Sequence, residues 1–190
     1  MKKAKLFVLS GPSGVGKGTV LENLLTNFNG VEYSVSTTTR PCRKGEINGD
    51  DYFFLSVEDF FQMVEEDRFI EWAQVHNNYY GTPKEYVDKS LEEGKDIILE
   101  IDIQGARMVK KNYPEAVYVF LLPPSIEELE NRLDKRGTED DANKAIRLEN
   151  ARKELQELEK YDYQIINDKI DVTVNKLKAI ITAEKCRIRK

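Results

Sequence analysis

Residues 9–19, LSGPSGVGKGT, follow a run of apolar residues and hold four glycines within the nine positions from Gly11 to Thr19. Glycine weakens the interior of a helix or strand, so a glycine cluster at a strand end indicates that a ligand approaches the backbone closely. The spacing Gly11-x4-Gly16-Lys17 is that of a phosphate-binding loop. Backbone N–H groups and the N-terminus of the next helix bind an anion there, and the lysine adds a positive charge. The stretch therefore predicts a nucleotide phosphate site.

The loop departs from the usual pattern at one position. A serine or threonine commonly follows the lysine and binds Mg²⁺ through its hydroxyl, but Gly18 stands there, with Thr19 next. We therefore assign no protein ligand to the metal and expect nucleotide phosphates and water to hold most of it. The predicted nucleotide-binding residues of the loop are Gly11, Ser13, Gly14, Val15, Gly16, Lys17, Gly18 and Thr19.

The composition is typical of a soluble globular protein. Of 190 residues, 40% are hydrophobic and 33% charged, which suits one domain with insertions. The net charge of -5 argues against a general nucleic-acid binder. Cys42 and Cys186 match neither a disulfide framework nor a metal-binding spacing. No apolar run predicts a membrane span or a signal peptide, so we expect a cytoplasmic protein without a membrane partner; the sequence does not distinguish a monomer from a homo-oligomer.

Strand and helix patterns alternate along most of the chain. Continuous apolar runs predict strands that are covered on both faces, and amphipathic segments between them predict helices. The predicted strands are 5–9, 96–101, 116–122 and 163–167, and the predicted helices are 18–29, a helix from about Gln104, 125–136 and 171–187. This alternation predicts an α/β fold with a doubly wound, mainly parallel sheet.

Two stretches interrupt the alternation. Residues 31–82 are rich in β-branched and aromatic residues around an Asn48-Gly49 turn signal, which predicts a β-rich insertion. Residues 125–160 are strongly charged and predict a mobile helical flap. The predicted organisation is core 1–30, insertion 31–82, core 83–124, helical flap 125–160 and core 161–190.

One alternative for the nucleotide site is a GTPase. Residues 102–105, DIQG, follow a strand and match the D-x-x-G of GTPases at two positions. A guanine-reading Asn-Lys-x-Asp is also needed late in the chain, but in NDKID, residues 167–171, Asp168 separates the asparagine from the lysine. This departure weakens the GTPase interpretation.

The sequence resembles the guanylate kinase family along nearly its whole length. The segments SGPSGVGKGT, SVSTTTRPCRKGEINGDDYFF, FIEWAQVHNNYYGTP, ILEIDIQGA, FLLPPS and NRLDKRGTE occur in the order and spacing of that family. The resemblance implies transfer of the γ-phosphoryl of ATP, bound with Mg²⁺, to GMP, and also dGMP. The insertion would then bind GMP, and the flap would be a lid over ATP.

The resemblance implies two groups of GMP-binding residues. Arg40, Arg43, Tyr52 and Tyr80 would hold the GMP phosphate, since arginines and phenol hydroxyls suit a dianion. The alternative for the two tyrosines is core packing. Ser36, Glu71, Thr82 and Asp102 would bind the base.

Three of the base-binding assignments have local support or a local alternative. Glu71 is polar among apolar neighbours, as expected where a charge needs a specific partner. Thr82 could instead cap a helix, because Pro83 and Glu85 follow it. Asp102, with Glu100, lies at the carboxyl end of a strand, where ligands of open sheets bind, but it could orient an arginine or a metal-bound water.

The resemblance also implies the catalytic groups. Arg132, Arg136 and Arg147 match lid arginines that meet the transferring phosphates, the alternative being a solvated helix face. Asn167 matches a residue near the adenine or its ribose. Phosphoryl transfer mainly requires alignment and charge neutralisation, and a GMP phosphate oxygen is already a nucleophile. We therefore expect Lys17 and the lid arginines to be catalytic and nominate no general base.

Two rival functions remain at this point. Guanylate kinase-like domains also occur as non-catalytic binding modules, which typically have degraded phosphate loops, whereas Gly11, Gly16 and Lys17 are present here. The second rival is a kinase for another small phosphate acceptor.

Overall fold

The computed structural model describes residues 4–75, 77–136 and 149–188, and for residues 133–136 it describes the backbone alone. His76, which the sequence predicts to be a surface residue, lies outside the described residues, as do Arg147 and the side chain of Arg136.

Strands and helices alternate as the apolar pattern predicts. The strands are β1 (Leu6–Ser10), β2 (Glu32–Tyr33), β3 (Thr37–Thr38), β4 (Phe53–Phe54), β5 (Phe69–Val75), β6 (Asn78–Pro83), β7 (Ile97–Glu100), β8 (Val117–Leu122) and β9 (Tyr163–Ile166). The α-helices are α1 (Lys17–Thr26), α2 (Val57–Glu65), α3 (Lys84–Glu92), α4 (Ile103–Asn112), α5 (Ile126–Arg136), α6 (149–155) and α7 (Ile170–Cys186).

The central sheet has five strands in the order β2-β7-β1-β8-β9. All its neighbouring strands are parallel, which confirms the predicted α/β fold. From β1 the chain passes to the edge strand β2, returns to β7 beside β1, and then crosses to β8 and β9 on the other side of β1. Because the strand order reverses beside β1, the carboxyl end of β1 lies at the switch point where open sheets bind ligands.

Helices cover both faces of the central sheet. Alternate residues of β1 point to opposite faces, so Phe7 and Leu9 pack with α1 and α7, whereas Leu6 and Val8 pack with α3 and α4. The four side chains are at most 4% exposed. This burial on both faces explains why the strands read as continuous apolar runs.

A second, four-stranded sheet has the order β4-β3-β6-β5 and lies between residues 37 and 83. Gly49, in the predicted Asn48-Gly49 turn, has a φ of 92°, which favours glycine. Two features of residues 31–82 were not predicted. Glu32–Tyr33 pairs with β7 in the central sheet, and helix α2 begins after Ser56, whose hydroxyl accepts a hydrogen bond from the Asp59 N–H at 3.0 Å. The predicted domain boundaries stay a prediction.

Helix ends follow local capping chemistry. The predicted helix 18–29 begins one residue earlier, at Lys17, and ends at Thr26 because the Asn27 N–H turns back to the Leu24 carbonyl. Helix α5 begins after Ser125, as predicted, and the Ser125 hydroxyl accepts from the Glu128 N–H at 3.1 Å.

Candidate active site

The glycine loop joins the carboxyl end of β1 to the start of α1. Gly14 and Gly16 have φ values of 84° and 95°, which L side chains rarely adopt. At Gly11, a Cβ atom would lie 2.4 Å from the Leu121 carbonyl oxygen, so a larger residue would push the loop away from β8. The glycines therefore allow the loop to curl against the sheet, with the first turn of α1 behind it.

Lys17 folds over this loop. Its Nζ donates hydrogen bonds to the Gly11 carbonyl at 2.7 Å and the Pro12 carbonyl at 3.3 Å. The charge of Lys17 thus adds to the positive end of the α1 dipole at the same place. This arrangement suits an anion with several oxygens.

Asn167 and Arg132 converge on the loop from outside. The Asn167 side-chain amide donates to the Val15 carbonyl at 2.8 Å, and Arg132 Nη1 donates to the same oxygen at 3.3 Å. Arg132 also donates to the Asn167 carbonyl at 3.0 Å and to Glu128 Oε1 at 2.9 Å. The end of β9 and helix α5 are therefore tied to the loop, and the Arg132 guanidinium lies at its rim.

Glu154, on α6, is close to Lys17 and Ser13 of the loop, and no local sequence pattern points to it. The charge of Lys17 and the Ser13 backbone N–H both act to lower the pKa of its carboxyl. Burial is the main cause that raises the pKa of Glu154, and the charge of Asp102 also raises it. The carboxylate therefore stands among charged groups at the loop, partly removed from water.

A second charged cluster surrounds Arg40, which is 9% exposed. Its guanidinium donates to both carboxylate oxygens of Glu46, at 2.7 and 3.0 Å, and lies 5.5 Å from the ring centroid of Tyr52. The Tyr52 and Tyr80 rings meet edge to face at 6.0 Å. The structure therefore brings three of the four predicted phosphate-binding residues together.

Arg43, the fourth of those residues, has an exposed side chain. Its backbone N–H donates to Glu46 Oε2 at 2.7 Å. The hydrogen bond from Arg40 is the main cause that lowers the pKa of Glu46, so Glu46 is a firmly ionised partner. Sequence reasoning missed Glu46, because a loop carries no periodicity that would point to it.

A third group centres on Glu71, on β5, which is 4% exposed. Its Oε1 accepts a hydrogen bond from the Thr82 hydroxyl at 2.6 Å. A Cβ atom at Gly105 would lie 2.4 Å from Glu71 Oε2, so this glycine of the DIQG stretch makes room for the carboxylate. Burial is the main cause that raises the pKa of Glu71 to about 7; the hydrogen bond from Thr82 opposes this rise, and the nearby charge of Asp102 contributes to it.

The alternatives for Thr82 and Asp102 are now decided in part. Helix α3 has Pro83 as its N-cap residue and no side-chain cap, so the alternative that Thr82 caps it is wrong. Asp102 caps α4, because its Oδ1 accepts from the Gly105 N–H at 2.8 Å. Ser36, beside β3, is 6% exposed, and its carbonyl accepts from the Phe53 N–H at 2.9 Å.

Glu100 lies between the glycine loop and the cluster around Arg40. Its carboxylate oxygens lie 3.6 and 3.7 Å from the position of a Cβ on Gly18. Burial raises the pKa of Tyr52 to about 12, and the charge of Glu100 is the next largest cause. Glu100, at the end of β7, therefore faces both the glycine loop and Tyr52 at the carboxyl edge of the central sheet, and Asp102, two residues later, is close enough to Glu71 to act on its charge.

Neither a metal-binding cluster nor a membrane-spanning helix occurs among the described residues. Within residues 4–75, 77–136 and 149–188, no group of three or more His, Cys, Asp and Glu side chains is arranged to hold a metal ion. None of the helices described there is long and apolar enough to cross a membrane.

Comparisons with known proteins agree with this geometry. The family model for guanylate kinase matches residues 3–184. The guanylate kinase of Caldanaerobacter subterraneus subsp. tengcongensis is 54% identical over 187 residues, covering 98% of this chain and 91% of the relative. The guanylate kinase of Clostridium tetani is 53% identical over 188 residues, with 99% and 90% covered.

A solved structure shows the same architecture. The crystal structure of guanylate kinase from Anaplasma phagocytophilum superposes with a TM-score of 0.82 at 35% identity, covering 98% of this chain and 88% of that one. The matches extend over the glycine loop, both sheets and the last helix. The chain belongs to the guanylate kinase family.

Proposed function

We propose that this protein is an ATP:GMP phosphotransferase that converts GMP, and also dGMP, to the diphosphate with release of ADP. One observation carries the proposal. Glu71 is a nearly fully buried carboxylate whose hydrogen-bond partner is the Thr82 hydroxyl, and in the described part of the chain no lysine or arginine pairs with it. Such a group is costly unless a ligand with matching donors completes it.

Guanine has those donors. Its N1–H and N2–H lie side by side, and the two oxygens of one carboxylate can accept both. Thr82 holds Glu71 Oε1 at 2.6 Å and so orients the carboxylate. Ser36 and Asp102 are the further polar groups that we assign to the base. Adenine has an acceptor at N1, so AMP would place an acceptor against the carboxylate oxygens and form no hydrogen bond there.

The GMP phosphate would lie in the cluster around Arg40. Arg40 and Arg43 would provide charge-assisted hydrogen bonds, and the Tyr52 and Tyr80 hydroxyls neutral ones. Glu46 accepts hydrogen bonds from Arg40 at both carboxylate oxygens and so fixes the plane of the guanidinium. We therefore assign Glu46 the role of positioning Arg40.

ATP would bind with its phosphates on the glycine loop and Lys17, and with Asn167 on the adenosine side. Mg²⁺ would enter with ATP, and as a Lewis acid it would spread the charge of the phosphates. Glu100 suits this ion as a hard oxygen donor beside Gly18, acting through water. The absence of a hydroxyl at Gly18 agrees with metal held mainly by phosphates and water.

The chemistry asks the protein to align two anions and stabilise charge. Lys17 would stabilise the negative charge that develops between the β- and γ-phosphates. Arg132 lies at the loop rim, 3.3 Å from the Val15 carbonyl, close enough to turn toward a phosphate there. Arg136 and Arg147 would add their positive charges to that of Arg132 at the transferring phosphates. Closure of the site around both nucleotides would exclude water as a competing acceptor.

The test is an assay of ADP formation from ATP and Mg²⁺ with GMP, dGMP, AMP, CMP or UMP as acceptor. We expect turnover with GMP and dGMP. Turnover with a different acceptor would identify another small-molecule kinase, and binding of GMP without ADP formation would identify a non-catalytic module. We further propose a cytoplasmic role in purine nucleotide metabolism, with ATP and GMP as the partners.

A further inference from the structure

The side chain of Asn167, just after β9, is buried against the glycine loop. Its Nδ2 donates a hydrogen bond to the Val15 carbonyl at 2.8 Å. A carbonyl oxygen only accepts hydrogen bonds, so the NH₂ group of the amide is the part that faces it. The same nitrogen lies 2.8 Å from the position of a Cβ on Gly16. The amide therefore packs directly against the peptide that joins Val15 to Gly16.

Asn167 is itself held by the central sheet. Its backbone N–H donates to the Leu122 carbonyl at 2.8 Å, which extends the parallel pairing of β8 with β9 by one residue. The Val15 carbonyl has a second donor, Arg132 Nη1, at 3.3 Å. Because the proposed function has Arg132 turn toward a phosphate, Asn167 is the donor that stays on this carbonyl.

The direction of the Val15 carbonyl determines where the next N–H points. In a planar trans peptide, the C=O and the N–H point in opposite directions. Asn167 reaches the carbonyl from outside the loop, so the Gly16 N–H is directed to the inner side. Gly16 has a φ of 95°, and glycine adopts negative φ values about as readily. This peptide could therefore flip at low cost, and the hydrogen bond from Asn167 opposes the flip.

We propose that Asn167 is a positioning residue for phosphate binding, which acts through the Val15 carbonyl to aim the Gly16 N–H at the phosphates of ATP. The proposal rests on the proposed function, in that it takes the loop as the ATP phosphate site. Backbone N–H groups of such a loop cradle phosphate oxygens. A flipped peptide would remove one of these donors and turn a carbonyl oxygen toward the phosphates. A contact of Asn167 with the adenosine is a separate role, because it would leave binding of the phosphates themselves unaffected.

The test uses inorganic tripolyphosphate, which has the phosphates of ATP and no nucleoside. Calorimetry with Mg²⁺ present gives the Kd for tripolyphosphate, ATP and GMP in the parent, Asn167→Ala and Asn167→Leu. The leucine keeps the size of the side chain and lacks the donor, so the test stands if the alanine variant does not fold. Gln164→Ala is the matched control, because it removes an exposed amide from the same strand.

We expect both Asn167 variants to bind tripolyphosphate about tenfold more weakly than the parent, because a hydrogen bond that orients the phosphate donor is lost. ATP should be weakened at least as much, GMP affinity should be unchanged, and Gln164→Ala should match the parent.

Three outcomes overturn the proposal. Parental affinity for tripolyphosphate and ATP in both Asn167 variants would show that the amide does not orient the loop. A loss confined to ATP would assign Asn167 to the adenosine instead. An equal loss in Gln164→Ala would attribute the effect to β9 as a whole. A parent that binds neither ATP nor tripolyphosphate would instead refute the proposed function.

Discussion

Glu71 and Glu184 are both almost completely buried, at 4% and 3% exposed, but the pKa values of their carboxyls move in opposite directions. Glu184 lies at the amino edge of the central sheet, where Lys5 Nζ and the Tyr163 hydroxyl each donate to it at 2.7 Å. Burial alone would raise the pKa of Glu184, but these hydrogen bonds outweigh it and the pKa is lowered. Glu71, with a hydroxyl as its partner, has a pKa raised to about 7.

The two glutamates distinguish charged groups that pair within the protein and stabilise the fold from charged groups that we expect to pair with a ligand. At the amino edge, Lys5 and Glu184 satisfy each other within the protein, and Arg187 adds a contact to Glu184 at 3.2 Å. At the carboxyl edge, Lys17 turns to backbone carbonyls and Glu71 lacks a described cationic partner. We therefore expect the charged groups at the amino edge to contribute to stability and those at the carboxyl edge to contribute to catalysis.

The largest effect on kcat is expected for Lys17→Ala. Removing a charge that acts on the developing transition state should lower kcat by about 10³-fold. GMP should still bind, because its site lies elsewhere in the cleft. Initial rates of ADP formation and calorimetric GMP titration check both parts, and a kcat within about threefold of the parent would remove Lys17 from the catalytic group.

Lys5→Met is the matched lysine change at the amino edge. It leaves the buried Glu184 carboxylate without its cation, which should lower the free energy of unfolding by about 3 kcal/mol. The kcat/KM for GMP should stay within about twofold of the parent while the protein is folded. Urea unfolding and steady-state rates test this. A Lys5→Met variant with parental stability but low activity would contradict the claim that this edge contributes to stability and not to catalysis.

A smaller effect is expected from pH. Because burial raises the pKa of Glu71 to about 7, the carboxylate that would accept from guanine is lost as pH falls through that value. The affinity for GMP should therefore drop about tenfold between pH 8 and pH 6. The GMP phosphate titrates in part of this range, so Glu71→Gln is the control. A parent profile no steeper than that of the variant would contradict the assignment.

The fold was predictable because its signals are local. Gly11, Gly16 and Lys17 stand within one loop, and the strands of the central sheet are continuous apolar runs. The two-residue strand Glu32–Tyr33 is too short to carry such a pattern, so its pairing with β7 was missed. Ser56 and Asp59 did contain a capping signal for α2, which the β-rich composition of the surrounding residues concealed.

From the residues alone, the candidate site was predictable only where a residue type is unusual for its surroundings, and the other assignments come from the resemblance to the guanylate kinase family. Glu71 is such a case, because a carboxylate in an apolar strand needs a partner. Glu46 and Glu154 are ordinary residues of a charged loop and a charged helix, and their meaning depends on Arg40 and Ser13, which tertiary folding brings to them. Thr82 is the opposite case. Its sequence neighbours indicate a helix cap, but in the structure its hydroxyl donates a hydrogen bond to Glu71.

The most direct test of base recognition by Glu71 is the ratio of kcat/KM for GMP to that for AMP, measured in the parent, in Glu71→Gln and in Glu184→Gln. Both changes neutralise one nearly fully buried glutamate, so Glu184→Gln controls for burial and charge. We expect the parent to prefer GMP by about 10⁴ or more, since AMP would leave a desolvated charge unpaired. Glu71→Gln should lose most of that preference and Glu184→Gln should keep it. A parent that uses AMP as well as GMP, or a Glu71→Gln variant with the parental ratio, would contradict the claim that Glu71 reads the base.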